Sequence, residues 1–260
     1  MTNKTKIISV VNQKGGVGKT TTVVNISVVF SLLNKKVLVI DFDPQSNASS
    51  GLGISNKDRE EKDVYKLLMG EKQVEDVIVN TNIKNLDIIP CSVNLAGSEV
   101  DLVKVSNREY VLKNALSPII DKYDLILIDC PPSLSLLTIN ALVASTTILI
   151  PLQCEFFALE GLSHLLDTAE RIRQNYNEQL KINGIVLTMY DRRNKLTDQV
   201  EQDVRGCLGD MVYNTVIPRN IKISESPSHG VPAILYDPNC TGSLAYMNLA
   251  EEITKRIFNN

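Results

Sequence analysis

The sequence has no long apolar run: nowhere do about 18 apolar residues follow one another, so no membrane-spanning helix is encoded. Histidine is scarce, with two in 260 residues. The five cysteines, Cys91, Cys130, Cys154, Cys207 and Cys240, are odd in number, widely spaced and free of any C-x-x-C pair. A zinc site and a disulfide framework are thereby disfavoured, and the cysteines are expected as small buried or half-buried hydrophobes in a reducing compartment. Charge of one sign is missing too, since 27 Lys and Arg against 30 Asp and Glu leave −3. That balance argues against a protein that coats nucleic acid with its whole surface, while a local basic strip stays open. Repeats, low-complexity tracts and long linkers are absent. The apolar stretch 7–11 is too short for a signal-peptide core. A single domain over 1–260 that stays in the cytoplasm is expected.

What the chain does contain is an alternation. Apolar β-branched runs at 7–11, 37–40, 86–89, 125–128, 147–150, 182–188 and 212–217 predict strands. Helical patterns lie between and after them at 19–33, 64–69, 110–120, 138–144, 159–176, 197–208 and 243–258. Most of the strands are continuous apolar runs rather than alternating ones, as expected when helices cover both faces of a mostly parallel sheet. The pattern predicts a single-domain, doubly wound α/β fold, with short surface helices in the polar stretch 54–84.

The first strand runs into Asn12-Gln13-Lys14-Gly15-Gly16-Val17-Gly18-Lys19-Thr20-Thr21, which opens the first helix. This is the setting of a P-loop NTPase. The main chain of Gly15, Gly16, Val17 and Gly18 can fold closely round a phosphate chain, with Thr21 in the helix's first turn. Lys19 would neutralise the β and γ phosphates, and Thr20 would be a magnesium ligand. The usual G-x-x-x-x-G-K-[ST] pattern is broken at Gln13, and Lys14 adds a second ammonium group. Two such groups flanking one loop repel each other unless an anion sits nearby, and Lys14 is free to point outward.

Carboxylates stand where a triphosphate would need metal and water. The second strand ends in Asp41-Phe42-Asp43-Pro44, whose two acids suit magnesium and attacking-water positions. Leu125-Ile126-Leu127-Ile128-Asp129 is an apolar strand closing on an acid, the placing of a Walker B aspartate that holds magnesium. The metal set is thus Thr20, Asp129 and Asp41. Guanine recognition would call for Asn-Lys-x-Asp, whereas Asn194-Lys195-Leu196-Thr197-Asp198 is one residue too long. Thr188-Met189-Tyr190-Asp191 has an acid in a comparable place and no lysine, so adenine is favoured.

The K-G-G-V-G-K-T loop resembles the deviant Walker motif of the ParA/MinD family of dimerising ATPases, and Asp129-Cys130-Pro131-Pro132-Ser133 resembles the second switch of its ParA branch. The segments 217–220 and 224–230 are similar to the one that walls the adenine in ParA, and 154–162 looks like that of chromosomal ParA/Soj proteins. The resemblance covers nearly the whole chain. It implies ATP and Mg2+ as cofactors and a homodimer in the ATP state, in which Lys14 crosses to the partner's phosphates. It makes Asp43 the residue that positions the hydrolytic water, so the catalytic set is Lys14, Lys19, Asp43 and Asp129. The base contacts it implies are Met189, Asp191, Pro218 and Asn220. It further implies nonspecific binding of double-stranded DNA, association with the nucleoid in the ATP state, and a centromere-bound ParB-type partner that stimulates hydrolysis. Arg192, Arg193, Lys195, Arg219 and Lys222 are the candidate strip for DNA.

Two other relatives carry the same loop. A MinD-like membrane-positioning ATPase needs an amphipathic C-terminal helix, whereas Leu244, Met247, Ala250, Ile253 and Ile257 are spaced for a core-facing one. An electron carrier like the nitrogenase iron protein would need cluster cysteines, for which Cys91 and Cys130 are the candidates. Cys130 directly follows Asp129 and lacks the glycine-rich surroundings such cysteines have. His229, on a loop without a nucleophile motif nearby, is expected to be structural.

Overall fold

The computed structural model describes residues 5–258. Its strands are β1 (Lys6–Val10), β2 (Val37–Asp41), β3 (Val79–Asn80), β4 (Leu86–Ile89), β5 (Leu125–Asp129), β6 (Thr147–Gln153), β7 (Lys181–Tyr190) and β8 (Val212–Pro218). They form one sheet in the order β3-β4-β2-β5-β1-β6-β7-β8, parallel throughout except for the β3–β4 pair. From β1 the chain first winds to one side, through β2, β4 and β5, and then to the other, through β6, β7 and β8. The reversal falls beside β1, which places the ligand crevice over the carboxyl ends of β1 and its neighbours.

The helices are α1 (Lys19–Leu32), α2 (Asn47–Gly51), α3 (Asn56–Glu61), α4 (Val64–Leu68), α5 (Val74–Val77), α6 (Ser98–Leu102), α7 (Val111–Leu116), α8 (Leu136–Ala144), α9 (Ala158–Asn175), α10 (Lys195–Leu208), α11 (Ile221–Glu225), α12 (Ala233–Tyr236) and α13 (Thr241–Ile257). Successive strand residues go to opposite faces. Leu38, Ile40, Ile126 and Ile128 meet α4, α7, α8, α9 and α10, while Val37, Val39, Leu125 and Leu127 meet α1 and α13. This two-faced burial is why the strands read as unbroken apolar runs.

All seven expected strands and seven expected helices have counterparts, with three local departures. β3, only two residues long, is too short to carry a periodic signal. The helix expected over 110–120 breaks into α7 flanked by 3-10 turns at Arg108–Tyr110 and Ser117–Lys122. Pro118 explains the second break, because it donates no N–H to a continuing helix. α13 is buried through Ala245, Tyr246, Leu249, Ala250, Ile253 and Ile257, so its inward face is set slightly off the expected one, and Leu244 is 47% exposed.

Candidate functional site

The phosphate loop is held open by two left-handed glycines, Gly16 (φ 75°) and Gly18 (φ 87°), conformations in which a side chain would be strained. Gly18 is also the N-cap of α1, so the loop delivers the first turn of that helix to the crevice. Asn12 fastens the loop to β6, its amide donating to the Pro151 carbonyl at 2.7 Å and its Oδ1 accepting from the Lys14 N–H at 3.0 Å. Thr188 ties the other side to β7 through the Val17 carbonyl at 2.8 Å.

Over this loop lies a cavity of about 670 Å³, whose walls include Gly15, Gly16, Gly18, Lys19, Thr20 and Asp43. Lys19 is buried, and its Nζ donates to the Lys14 carbonyl at 3.0 Å, which stretches the side chain back across the loop. Burial lowers its pKa, opposed by the nearby Asp129 and Asp43 carboxylates. An ammonium group held this way stands where a phosphate chain in the cavity would meet it.

Thr20 Oγ1 donates to Asp129 Oδ2 at 2.7 Å, and the other Asp129 oxygen is buried without a hydrogen-bond partner among the described residues. A hydroxyl beside an orphaned carboxylate oxygen is the donor set a magnesium ion takes. Asp41 pairs with Asp129 across the β2–β5 register, yet its Oδ2 accepts both the Ser49 N–H (2.7 Å) and the Ser49 hydroxyl (2.6 Å). Asp41 thus pins α2, which contributes Asn47, Ser50 and Gly51 to the cavity wall. Asp43 lines the cavity itself, with Oδ1 capping the Gln45 N–H at 3.0 Å. Burial holds the Asp41 and Asp129 carboxyls above the usual carboxylate range; the Asp43 charge adds to both shifts, and the Asp41 charge adds to that of Asp129.

A second hollow, of about 440 Å³, continues from the first past Gly18, Thr21 and Met189 to Pro218 and Asn220. Met189 sits at φ 50°, a costly conformation for a side-chain-bearing residue and one that clusters at ligand sites. Asn220 has its own duties, accepting from the Lys222 N–H at 2.8 Å and donating to Thr241 at 2.9 Å. Asp191 does not line either hollow. It is bound by the Arg193 guanidinium at 2.9 and 2.8 Å, which holds its carboxyl down at about 2, and it opens onto a separate cleft of about 880 Å³.

That cleft brings together Arg192, Arg193 and Arg219 from the ends of β7 and β8. Lys195, at the start of α10, and Lys222 are not among its walls. Lys222 pairs with Glu225 at 3.0 Å and lies over the Tyr236 ring. Of the five candidate cations, three line this one cleft. Asn194, in the near-miss guanine motif, is the N-cap of α10, accepting from the Leu196 N–H at 3.0 Å.

Lys14 leaves its own cavity. Its ammonium pairs with Glu155, just beyond β6, and that carboxylate supplies the counter-charge the crowded loop demanded. Glu155 was not singled out by sequence; the signal available was that demand for an anion. Cys91 and Cys130 are fully buried, so neither offers a surface thiolate to bridge two subunits. Cys154 is buried as well, Cys240 is half-buried, and Cys207 is exposed, against expectation. His229 stacks on Tyr236, with centroids 5.1 Å apart.

Known proteins share this arrangement. A family model described as an AAA domain matches residues 5–182. The chromosome partitioning protein ParA of Caulobacter vibrioides is 50% identical over 256 residues, 98% of this chain and 96% of its own. The chain belongs to the ParA/Soj family. The sporulation initiation inhibitor protein Soj of Bacillus subtilis is 52% identical over 248 residues, 95% of this chain and 98% of its own. Among solved structures, cobyrinic acid a,c-diamide synthase of Mycobacterium smegmatis with bound ADP and magnesium superposes with a TM-score of 0.84 at 33% identity, covering 96% of this chain and 94% of that one. Within the ParA/Soj frame, the wall residues that sequence reasoning missed include Asn25 of α1, Asn47, Ser50 and Gly51 of α2, and Val231 and Pro232 before α12. Their polar or small side chains carry no spacing of their own; only the tertiary fold gathers them. No helix among the described residues is long and apolar enough to cross a membrane.

Proposed function

We propose that this chain is an ATP-driven DNA partition protein that cycles between a monomer and an ATP-bound homodimer. The observation that carries the proposal is the division of labour between two lysines of one loop: Lys19 faces the cavity, and Lys14 turns its ammonium away from it. ATP sits with its phosphates along Gly15–Thr21 and its adenine in the hollow walled by Met189, Pro218 and Asn220. The Asp191 contact implied by family resemblance is left out, because that acid faces the arginine cleft.

Thr20 and Asp129 would hold Mg2+, with Asp41 supporting them, and the ion when bound supplies positive charge against the phosphate oxygens. Asp43 accepts a hydrogen bond from water and aims its oxygen at the γ phosphorus. The new P–O bond forms as the bridging oxygen leaves with ADP, and Lys19 offsets the charge that builds there. In the dimer each Lys14 reaches the other subunit's phosphates, and the arginine clefts of both copies engage double-stranded DNA irrespective of sequence. Discharge follows contact with a centromere-bound ParB-type partner. The protein is cytoplasmic and nucleoid-associated in the ATP state.

Light scattering on the purified chain tests this. With ATP and Mg2+ the mass should double; with ADP it should not, and Lys14→Ala should bind ATP yet remain monomeric. A mass indifferent to ATP would overturn the proposal.

A further inference from the structure

Lys14 and Glu155 lie 141 residues apart in the chain and are brought together by one scaffold. The loop is anchored through Asn12 to Pro151 of β6, and Glu155 stands two residues beyond the end of that strand. The main chain of Lys14 is committed at both its N–H, to Asn12, and its carbonyl, to Lys19. Only its side chain is left to move. The pair is half open to solvent, with Lys14 53% and Glu155 29% exposed at the side chain.

Two features mark the ion pair as more than surface decoration. Phe156 and Phe157 follow Glu155 directly and are 77% and 68% exposed, their rings edge to face with centroids 5.1 Å apart. Such a pair gains by being covered. Gln13 and Glu155 also line one small hollow of about 250 Å³, and the Gln13 amide nitrogen is buried without a partner among the described residues. A donor is therefore at hand for the carboxylate once the ammonium has left.

We propose that Glu155 is a positioning residue for Lys14: it holds the ammonium against its own subunit in the monomer and yields it when a second ATP-bound copy docks. The inference rests on the dimer reading above. One ammonium group cannot serve Glu155 and a phosphate of the partner subunit in separate places, and a carboxylate carried along with it would meet the phosphate's negative charge. Opening the latch is consequently a conformational toll on dimerisation. An exposed pair of this kind is worth about 1.4- to fivefold in an equilibrium constant, and a dimer opens two, so the toll is roughly two- to thirtyfold.

The test is sedimentation of wild type, Glu155→Gln and Glu155→Asp over a range of protein concentrations with a non-hydrolysable ATP analogue and Mg2+. Nucleotide affinity of the monomer and thermal midpoint are measured alongside. Glu155→Gln should dimerise at roughly two- to thirtyfold lower concentration, with monomer nucleotide affinity unchanged and the thermal midpoint lowered by no more than the loss of one exposed ion pair, and Glu155→Asp should fall between it and wild type. A dimerisation midpoint for Glu155→Gln equal to or higher than that of a dimerising wild type would overturn the latch and leave the dimer reading standing. If neither protein dimerises at any concentration, the dimer reading fails and the latch fails with it.

Discussion

At the scale of the residue, the site gathers Lys19, Asp41, Asp43 and Asp129 out of water at the strand ends. Asp43 is the acid aimed into the cavity, so Asp43→Ala should keep ATP affinity within a few-fold and lower turnover about a hundredfold or more, read by phosphate release. Unchanged turnover would remove Asp43 from water positioning; lost ATP binding would make it structural. Asp41 and Asp129 face each other across the β2–β5 register. Burial raises both carboxyls, so the folded chain grips their protons more tightly than the unfolded chain does. The stability they lend is full below the ordinary carboxylate range, about pH 4, and is lost as pH rises through the raised folded values. Without nucleotide and metal, wild type should lose stability relative to Asp41→Asn as pH climbs from about 4 to 8, followed by urea unfolding. Parallel curves would contradict the shift. The sequence made these residue types legible because Gly, Lys, Thr and Asp at strand ends have few other uses in that order. It did not reveal that Asp41 spends an oxygen on Ser49, since nothing in the spacing says which acid faces in.

At the scale of the element, a bulge in β7 organises the side of the sheet that carries the base pocket. Between Ile148↔Ile182 and Leu149↔Gly184 the register skips Asn183, whose freed carbonyl accepts from Arg256 at 2.9 Å. Gly184 then lies against the Tyr213 ring: a Cβ there would meet Tyr213 and Arg256 at 2.6 Å and the Met211 carbonyl at 2.9 Å. Gly184→Ala should cost about 1–3 kcal/mol in denaturant unfolding, and an unchanged midpoint would show that the bulge can shift. The one trace of the bulge in the sequence is Asn183-Gly184 interrupting the apolar run at 182–188, a signal the strand assignment passed over. Long elements such as α1, α9 and α10 were legible because burial on one or all sides imposes a pattern over many residues. α2, α11 and α12, with five, five and four residues, were not, because their form comes from caps and contacts. Of these, α2 lines the phosphate cavity and α11 the adjoining hollow, while Val231 and Pro232, just before α12, complete the wall.

At the scale of the whole molecule, a net charge of −3 leaves DNA binding to local geometry. One chain gathers Arg192, Arg193 and Arg219 in a single cleft, with Asp191 partly neutralising them. On the proposed function, half a site of this size should bind DNA weakly, and joining two in an ATP-bound dimer should multiply the affinity. The order of strands and the deviant phosphate loop made the fold and family legible; the pairing of two molecules leaves no periodic trace in one sequence. The central claim is that ATP, through Lys14, builds the DNA-binding surface. It is tested by the fluorescence anisotropy of two unrelated labelled duplexes, titrated with wild type, Lys14→Ala and Arg192→Ala with Arg219→Ala, in ATP and in ADP, at two salt concentrations. Wild type should bind both duplexes alike in ATP, weakly in ADP, and steeply less as salt rises. Lys14→Ala should stay at the ADP level, and the arginine variant should dimerise but show a shallower salt slope. Equal DNA binding by wild type in ATP and ADP, or by Lys14→Ala and wild type in ATP, would contradict the account.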